Sequence, residues 1–360
     1  MERKGVRMKV FILAYARDNL GDDLFIDILV KRYPNIDFYM NLPSNEYGEG
    51  IKHFNNLTIN IASDTDAYLA KMEPKQYDAY VYIGGSIFME GGKVYNLSEE
   101  FYSFVQKCKI LDIPFLYISS NFGPYQTQEY LELAKKNFKE CTDICFRDLY
   151  SANLFKGIES VRYAPDIVFG KEIKVSNREE HTIGISLIDL SIRNDIQFNY
   201  DTYKNMMIDS IKEYVELGMK IKLFSFCEHE GDLRFTNELL AELSGDIKQN
   251  IKVVEYKNNL DEFINEYKSV EYMICARFHA MIMSIVCGQK LYVMSYSKKI
   301  NRIVEDLKLK IKLVNFNELK MNDKINLDEF KSIDKTELNK IKEYSSEQFK
   351  KLDEIINLRK

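Results

Sequence analysis

The chain has 360 residues, with 50 Lys and Arg against 55 Asp and Glu, giving a net charge of -5. That length suits two compact domains better than one. The acidic balance excludes nucleic-acid binding through overall charge, and no nucleic-acid partner is expected. No apolar run reaches the roughly 18 residues that a membrane-crossing helix needs.

The chain opens without the charged-then-apolar pattern of a secretory signal, so a cytoplasmic protein is expected. The six cysteines (Cys108, Cys141, Cys145, Cys227, Cys275 and Cys287) mostly lie in apolar runs, as buried, reduced thiols do. Cys141 and Cys145 are spaced for one helix face. No second Cys or His pair completes a ligand set, so no metal is expected.

The first predicted strand covers residues 9–14 (KVFILA). Further runs follow at 77–83, 115–119 and 143–146, each β-branched or aromatic and each ending near Gly, Asn or Asp. Such runs read as buried parallel strands. Helical spacing at 22–32 and 126–140 completes a βα alternation. Residues 175–181 (VSNREEH) are polar without period and read as a linker. The rhythm then restarts, with strands at 182–187, 220–226, 252–255, 270–275 and 290–295 and helices at 203–217 and 280–287. The domains expected are 8–174 and 181–330, followed by one helix over 335–360. The fold class is α/β, two Rossmann-like domains in a GT-B-like arrangement facing one cleft. The terminal helix reads first as packed on the domains. Membrane-surface contact through Lys340, Lys342, Lys350 and Lys351 is the second reading, weakened by the interleaved acids.

In doubly wound sheets, ligands bind beyond the carboxyl ends of the strands. The loop after the first strand holds Asn19, Gly21 and Asp22, with Asp22 able to cap the next helix. Gly84 and Gly85 follow the second run, where paired glycines let a ligand approach the backbone. Asn121 follows the third. Arg147 ends the fourth and suits a carboxylate or phosphate, or a surface pair with Asp148. Asp166 could orient Arg147 or His279, or cap a turn. Arg277, Phe278 and His279 stand between a buried strand and a helix start, where N–H groups and the helix dipole attract anions. Lys298 follows the last strand. His279 reads as catalytic, with a structural histidine as the plain alternative.

Taken in order, Asn19-Leu20-Gly21-Asp22, Gly84-Gly85, Gly123-Pro124, Arg147-Asp148 with Ser151, Ala164-Pro165-Asp166, Arg277-Phe278-His279 and Lys298 resemble the polysaccharide pyruvyl transferase family. The family often has a third glycine at Ser86 and Glu at Asp23. The resemblance implies a GT-B-like fold, phosphoenolpyruvate as donor and co-substrate, no cofactor, and a histidine acid/base at His279. It implies donor contacts by Arg277, Arg147, Lys298 and Phe278. The acceptor implied is a surface glycan, commonly lipid-linked at the inner face of the membrane. Cleft loops at Asn19, Gly21, Asp22, Gly84, Gly85, Asn121 and Asp166 complete the expected site. The alternatives are a nucleotide-sugar glycosyltransferase and a non-catalytic glycan-binding relative. No oligomeric state follows from the sequence.

Overall fold

The structure is a computed structural model that describes residues 7–92, 95–191, 200–320 and 323–358. The chain divides into two compact units. The first comprises Met1–Arg17, Asp22–Gly170 and Glu343–Lys360; the second comprises Asp18–Gly21 and Lys171–Lys342.

The first unit is built on β1 (Lys9–Leu13), β2 (Asp37–Leu42), β3 (Leu57–Ile61), β4 (Ala79–Ile83), β5 (Phe115–Ser120), β6 (Asp143–Phe146) and β7 (Val161–Tyr163). They pair in parallel in the order β3-β2-β1-β4-β5-β6-β7. Residues of β4 and β5 are buried throughout, as strands covered on both faces must be. The helices are α1 (Leu20–Arg32), α2 (Thr65–Lys71), α3 (Glu99–Ile110), α4 (Gln128–Glu140) and α5 (Leu149–Leu154). An aromatic core, with Phe11, Tyr80, Tyr117 and Phe138, fills one side of the sheet.

The second unit repeats the plan with β8 (Glu179–Ser186), β9 (Lys220–Ser225), β10 (Ile251–Glu255), β11 (Val270–Cys275), β12 (Lys290–Ser295) and β13 (Lys312–Asn315). The parallel order is β10-β9-β8-β11-β12-β13. Its helices are α6 (Tyr200–Glu216), α7 (Asp232–Ala241), α8 (Gly245–Lys248), α9 (Leu260–Ser269), α10 (Phe278–Cys287) and α11 (Lys298–Asp306). In each sheet the chain winds outward from a central strand, reverses, and winds the other way. This is the Rossmann order, and its switch points lie between β1 and β4 and between β8 and β11.

Three expectations change. The strand expected at 182–187 starts at Glu179, so Glu179, Glu180 and His181 of the expected linker belong to β8. The single terminal helix is two, α12 (Lys335–Ser346) and α13 (Lys350–Asn357), joined by a 3₁₀ turn at Glu347–Phe349; residues 359–360 of that expectation lie outside the described ones. At the break Gln348 is buried: its Oε1 accepts from Ser119 N at 2.8 Å, and its Nε2 donates to Ala164 O at 2.6 Å. Ser345 Oγ donates to Asp166 O at 2.8 Å. The last eighteen residues are thus part of the first unit. Finally, Cys141 caps α4 and Cys145 lies in β6, so they share no helix face. All six thiols are free and buried.

Candidate functional site

In the first unit, Arg147 leaves β6 with its guanidinium buried. Nη1 donates to Asp166 Oδ2 at 2.8 Å and Nη2 to Asn121 Oδ1 at 2.7 Å. Asp166 also accepts from Val168 N at 2.9 Å. Burial pushes the Asp166 carboxyl up, against the pull of Arg147. Of the expected partners, Asp166 is the one Arg147 takes. Asp148 instead caps α5, accepting from Ser151 N at 2.7 Å.

The glycine pair after β4 serves a different neighbour from the one expected. A Cβ on Gly85 would lie 2.6 Å from both terminal nitrogens of Arg147, so the bare backbone gives room to that guanidinium. Gly85 O accepts from Asn121 N at 2.8 Å, which ties the loop after β4 to the loop after β5. Asn121 Nδ2 and Ser120 Oγ are buried without partners among the described residues. Arg17, which sequence reasoning passed over, sits 5.6 Å from the Tyr15 ring and 5.8 Å from the Tyr47 ring. Its Nε is buried and unpartnered among the described residues.

In the second unit, Asn19 rather than Asp22 caps α1, its Oδ1 accepting from Gly21 N at 2.9 Å. Asp22 lies inside the first turn, where its charge suits the helix dipole. Leu20 N donates to Phe226 O at 3.2 Å, which pins this loop beside the end of β9. Gly21 packs against the imidazole of His279. A Cβ there would stand 2.9 Å from the ring Cγ and closer still to Nδ1. His279 is half-buried on the first turn of α10, with the Phe278 ring edge-on at 5.2 Å.

Arg277 is the N-cap of α10 and gives it no side-chain cap. Its guanidinium is buried between two carboxylates. Nε donates to Asp232 Oδ2 at 3.1 Å, Nη2 donates to Asp232 Oδ1, and Nη1 donates to Glu230 Oε2. Asp232 is fixed in turn by Phe226 N at 3.0 Å and Cys227 N at 3.2 Å. Burial pushes Asp232 up to about 6, with Arg277 pulling the other way. Burial also works against the Arg277 charge, but the two carboxylates outweigh it and hold the guanidinium above its ordinary value. Arg277 is therefore not the open cation expected from its place at a helix start. Lys298 is exposed at the start of α11 and makes no hydrogen bond or ion pair among the described residues.

Sequence reasoning missed Glu230 and Asp232, which lie 47 and 45 positions before Arg277. The signal was available: Glu228-His229-Glu230-Gly231-Asp232 directly follows a predicted strand, the setting searched elsewhere. An open recess of about 750 Å³ lies nearby, lined by Glu228, His229, Gly231, Arg234 and Glu238 among others, and holds none of the expected site residues. Among the described residues no group of three or more His, Cys, Asp or Glu is placed to hold a metal ion. No described helix is long and apolar enough to cross a membrane.

The expected loops with Asn19, Gly21 and Asp22, with Gly84 and Gly85, and with Arg277, Phe278 and His279 thus fall at the switch points, after β1, β4 and β11, while Asn121, Arg147, Asp166 and Lys298 follow β5, β6, β7 and β12. A family model for polysaccharide pyruvyl transferases matches residues 19–298. The chain belongs to the polysaccharide pyruvyl transferase family. The match begins at Asn19 and ends at Lys298, the first and last residues that carry the resemblance. No curated protein matches the chain. Among solved structures, S. aureus MnaA with UDP is 10% identical over 87% of this chain and 85% of its own, with a TM-score of 0.57. Anabaena Alr3699/HepE in complex with UDP and glucose is 10% identical over 98% of both chains, TM-score 0.53. Methanocaldococcus jannaschii UDP-GlcNAc 2-epimerase in complex with UDP-GlcNAc and UDP is 15% identical over 93% of this chain and 98% of its own, TM-score 0.52. These likenesses show the fold alone, two Rossmann-like domains of GT-B type.

Proposed function

We propose that this pyruvyl transferase takes its pyruvyl group from phosphoenolpyruvate and closes it as a ketal on two neighbouring hydroxyls of a glycan sugar, with His279 moving the protons. The observation that carries this reading is the seat of His279. Its imidazole stands at a switch point, on the first turn of α10, pressed against the backbone of Gly21 and beside a fixed arginine. A side chain held this way has the placement that acid/base catalysis needs, and imidazole both gives and takes a proton near neutral pH.

In the scheme, protonated His279 gives its proton to the methylene carbon of the donor. Positive charge develops at C2, and a sugar hydroxyl attacks there. Phosphate leaves with its bonding pair, and the neighbouring hydroxyl attacks the same carbon to close the ring. Two hydroxyl protons are released: one restores His279 and one departs with phosphate. The methyl group of the product keeps the proton first given. Phosphoenolpyruvate is a co-substrate, and the scheme needs no further cofactor.

The donor is a small polyanion. Lys298 and the N-terminal end of α10, beginning at Phe278, supply positive potential for it, with Arg277 as the N-cap of that helix. Arg147 serves from the first unit by holding Asn121 and Asp166 in place rather than as an open cation. On the acceptor side, Asn19, Gly21 and Asp22, with Gly84, Gly85 and Asn121, shape the loops. The unpartnered Nδ2 of Asn121 and Nε of Arg17 are donors suited to sugar hydroxyls. The acceptor is a surface glycan, lipid-linked at the inner face of the membrane.

The test is mass spectrometry of candidate glycans incubated with phosphoenolpyruvate. The expected product carries one pyruvate less one water, with phosphate released in equal amount. His279→Gln should keep the fold and the donor affinity yet lower ketal formation by at least about a hundredfold. Near-normal turnover by that variant would end the role given to His279.

A further inference from the structure

Arg277 is held by two carboxylates of unequal standing. Asp232 has no exposed side-chain surface, makes the two-pronged contact, and accepts from two backbone N–H groups. It cannot leave without stranding all of them. Glu230 has 37% of its side chain exposed and meets the guanidinium through one oxygen. It ends a 3₁₀ turn at Glu228–Glu230 and is followed by Gly231, whose φ of 80° is left-handed. A chain that turns through glycine there can swing Glu230 outward without disturbing Asp232. The other oxygen of Glu230 accepts from Asn19 Nδ2 at 3.5 Å, a long and weak bond.

We propose that Glu230 is an exchangeable carboxylate that stands where an anionic group of the donor binds Arg277, and so sets which anions gain access to that cation. This rests on phosphoenolpyruvate as donor. Charge counting forces the exchange. Arg277, Asp232 and Glu230 together carry one net negative charge, so a polyanion added beside them is repelled unless a carboxylate withdraws. Of the two, only Glu230 is free enough to do so. An oxyanion that takes its place on Nη1 restores the charge-assisted bond that Glu230 gives up. A weak acceptor does not, so Glu230 works as a selectivity filter. Withdrawal also releases Asn19, which couples donor arrival to the loop that carries Gly21 against His279.

The cost of the filter is a lower apparent affinity, reduced by the fraction of molecules in which Glu230 has withdrawn. If that fraction is roughly one in ten, Glu230→Gln tightens binding about tenfold. The experiment measures dissociation constants by calorimetry for phosphoenolpyruvate and for inorganic phosphate, on the parent protein, Glu230→Gln and Glu230→Ala. Tighter binding of either ligand by both variants is the expected result. Weaker binding would overturn the proposal and make Glu230 a support for Arg277. Unchanged binding of both ligands would place Glu230 outside the anion's path and would also overturn it. A parent protein that binds phosphate but not phosphoenolpyruvate would sink the donor reading, while the comparison of variants on phosphate still decides the role of Glu230.

Discussion

Arg147 and Arg277 stand beyond the carboxyl ends of strands in two different sheets, and both are buried against carboxylates that lie far off in sequence. Arg147 shares itself between Asp166 and the neutral amide of Asn121. Arg277 gives its charge to Asp232 and a further donor to Glu230. The first arrangement sets one carboxylate and one neutral amide on the guanidinium. The second sets two carboxylates about one guanidinium, Asp232 without exposed surface and Glu230 partly exposed. The comparison sets an arginine that ties two loops of one sheet together beside one that stands at the proposed donor site.

The widest break in this comparison comes from deleting each arginine. Removing one partner of a buried pair costs about 3–5 kcal/mol, because the remaining charge stays buried. Asp166, with no exposed surface, would keep one backbone N–H, that of Val168, beside the Ser119 side chain, while Asp232 keeps the two backbone N–H groups of Phe226 and Cys227. Arg147→Ala should therefore lose more stability than Arg277→Ala, read as the shift in urea midpoint. Equal losses, or a larger loss for Arg277→Ala, would show that the scaffold role is shared. The ligand response should run the other way. Phosphoenolpyruvate should raise the melting temperature of a folded Arg147→Lys protein nearly as much as the parent, and that of Arg277→Lys much less.

The two glycine seats offer a second contrast. A methyl on Gly85 meets a guanidinium fixed on both sides, so Gly85→Ala should cost about 1–3 kcal/mol in stability by overpacking. A methyl on Gly21 meets the half-buried imidazole of His279, a single ring on the first turn of α10. Gly21→Ala should lose little stability, but it moves the proposed acid/base, and a misplacement of that size can lower turnover about a hundredfold. If Gly21→Ala is unfolded while Gly85→Ala is active and stable, the roles assigned to the two loops are reversed.

What the sequence made legible follows physical lines. β6, β11 and β12 were read with their true ends, because strands covered on both faces are continuous apolar runs. The strands β2, β3, β7 and β13 escaped. They lie toward the sheet edges and are short or mixed with polar residues, as in LTINI and VRY. The switch-point loops were found because each stands at the end of such a run. The partners of the arginines were harder to see. Asp166 was among three readings for one acid. Asp232 and Glu230 sit in a polar segment with no periodic signal. Gln348 and Ser345 reach the first sheet from a tail whose apolar stripe reads as an unbroken helix. A side chain that bonds across some 180 to 230 positions leaves no local trace.

The smallest expected effect concerns that tail. Residues 171–178 form no regular structure, and several of their side chains are exposed. Limited proteolysis should cut there first. The cut would leave the first unit's strands on one fragment and the last eighteen residues on the other, although those residues belong to the first unit. They are bound to it by Gln348 and Ser345, and by Asp353, which accepts from Arg32 Nη2 and from Tyr33 at 2.7 Å each. Phe349 packs edge-on against the Tyr33 ring at 6.1 Å. The fragments should therefore elute as one species on size exclusion and separate only in denaturant. Gln348→Ala strips two backbone carbonyls and one N–H of their partner, so it should loosen this association by about 1–3 kcal/mol. If the nicked parent falls apart without denaturant, the tail is an appendage rather than a piece of the first unit. The sheet-end loop it braces, with Asp166 and through it Arg147, would then need another support.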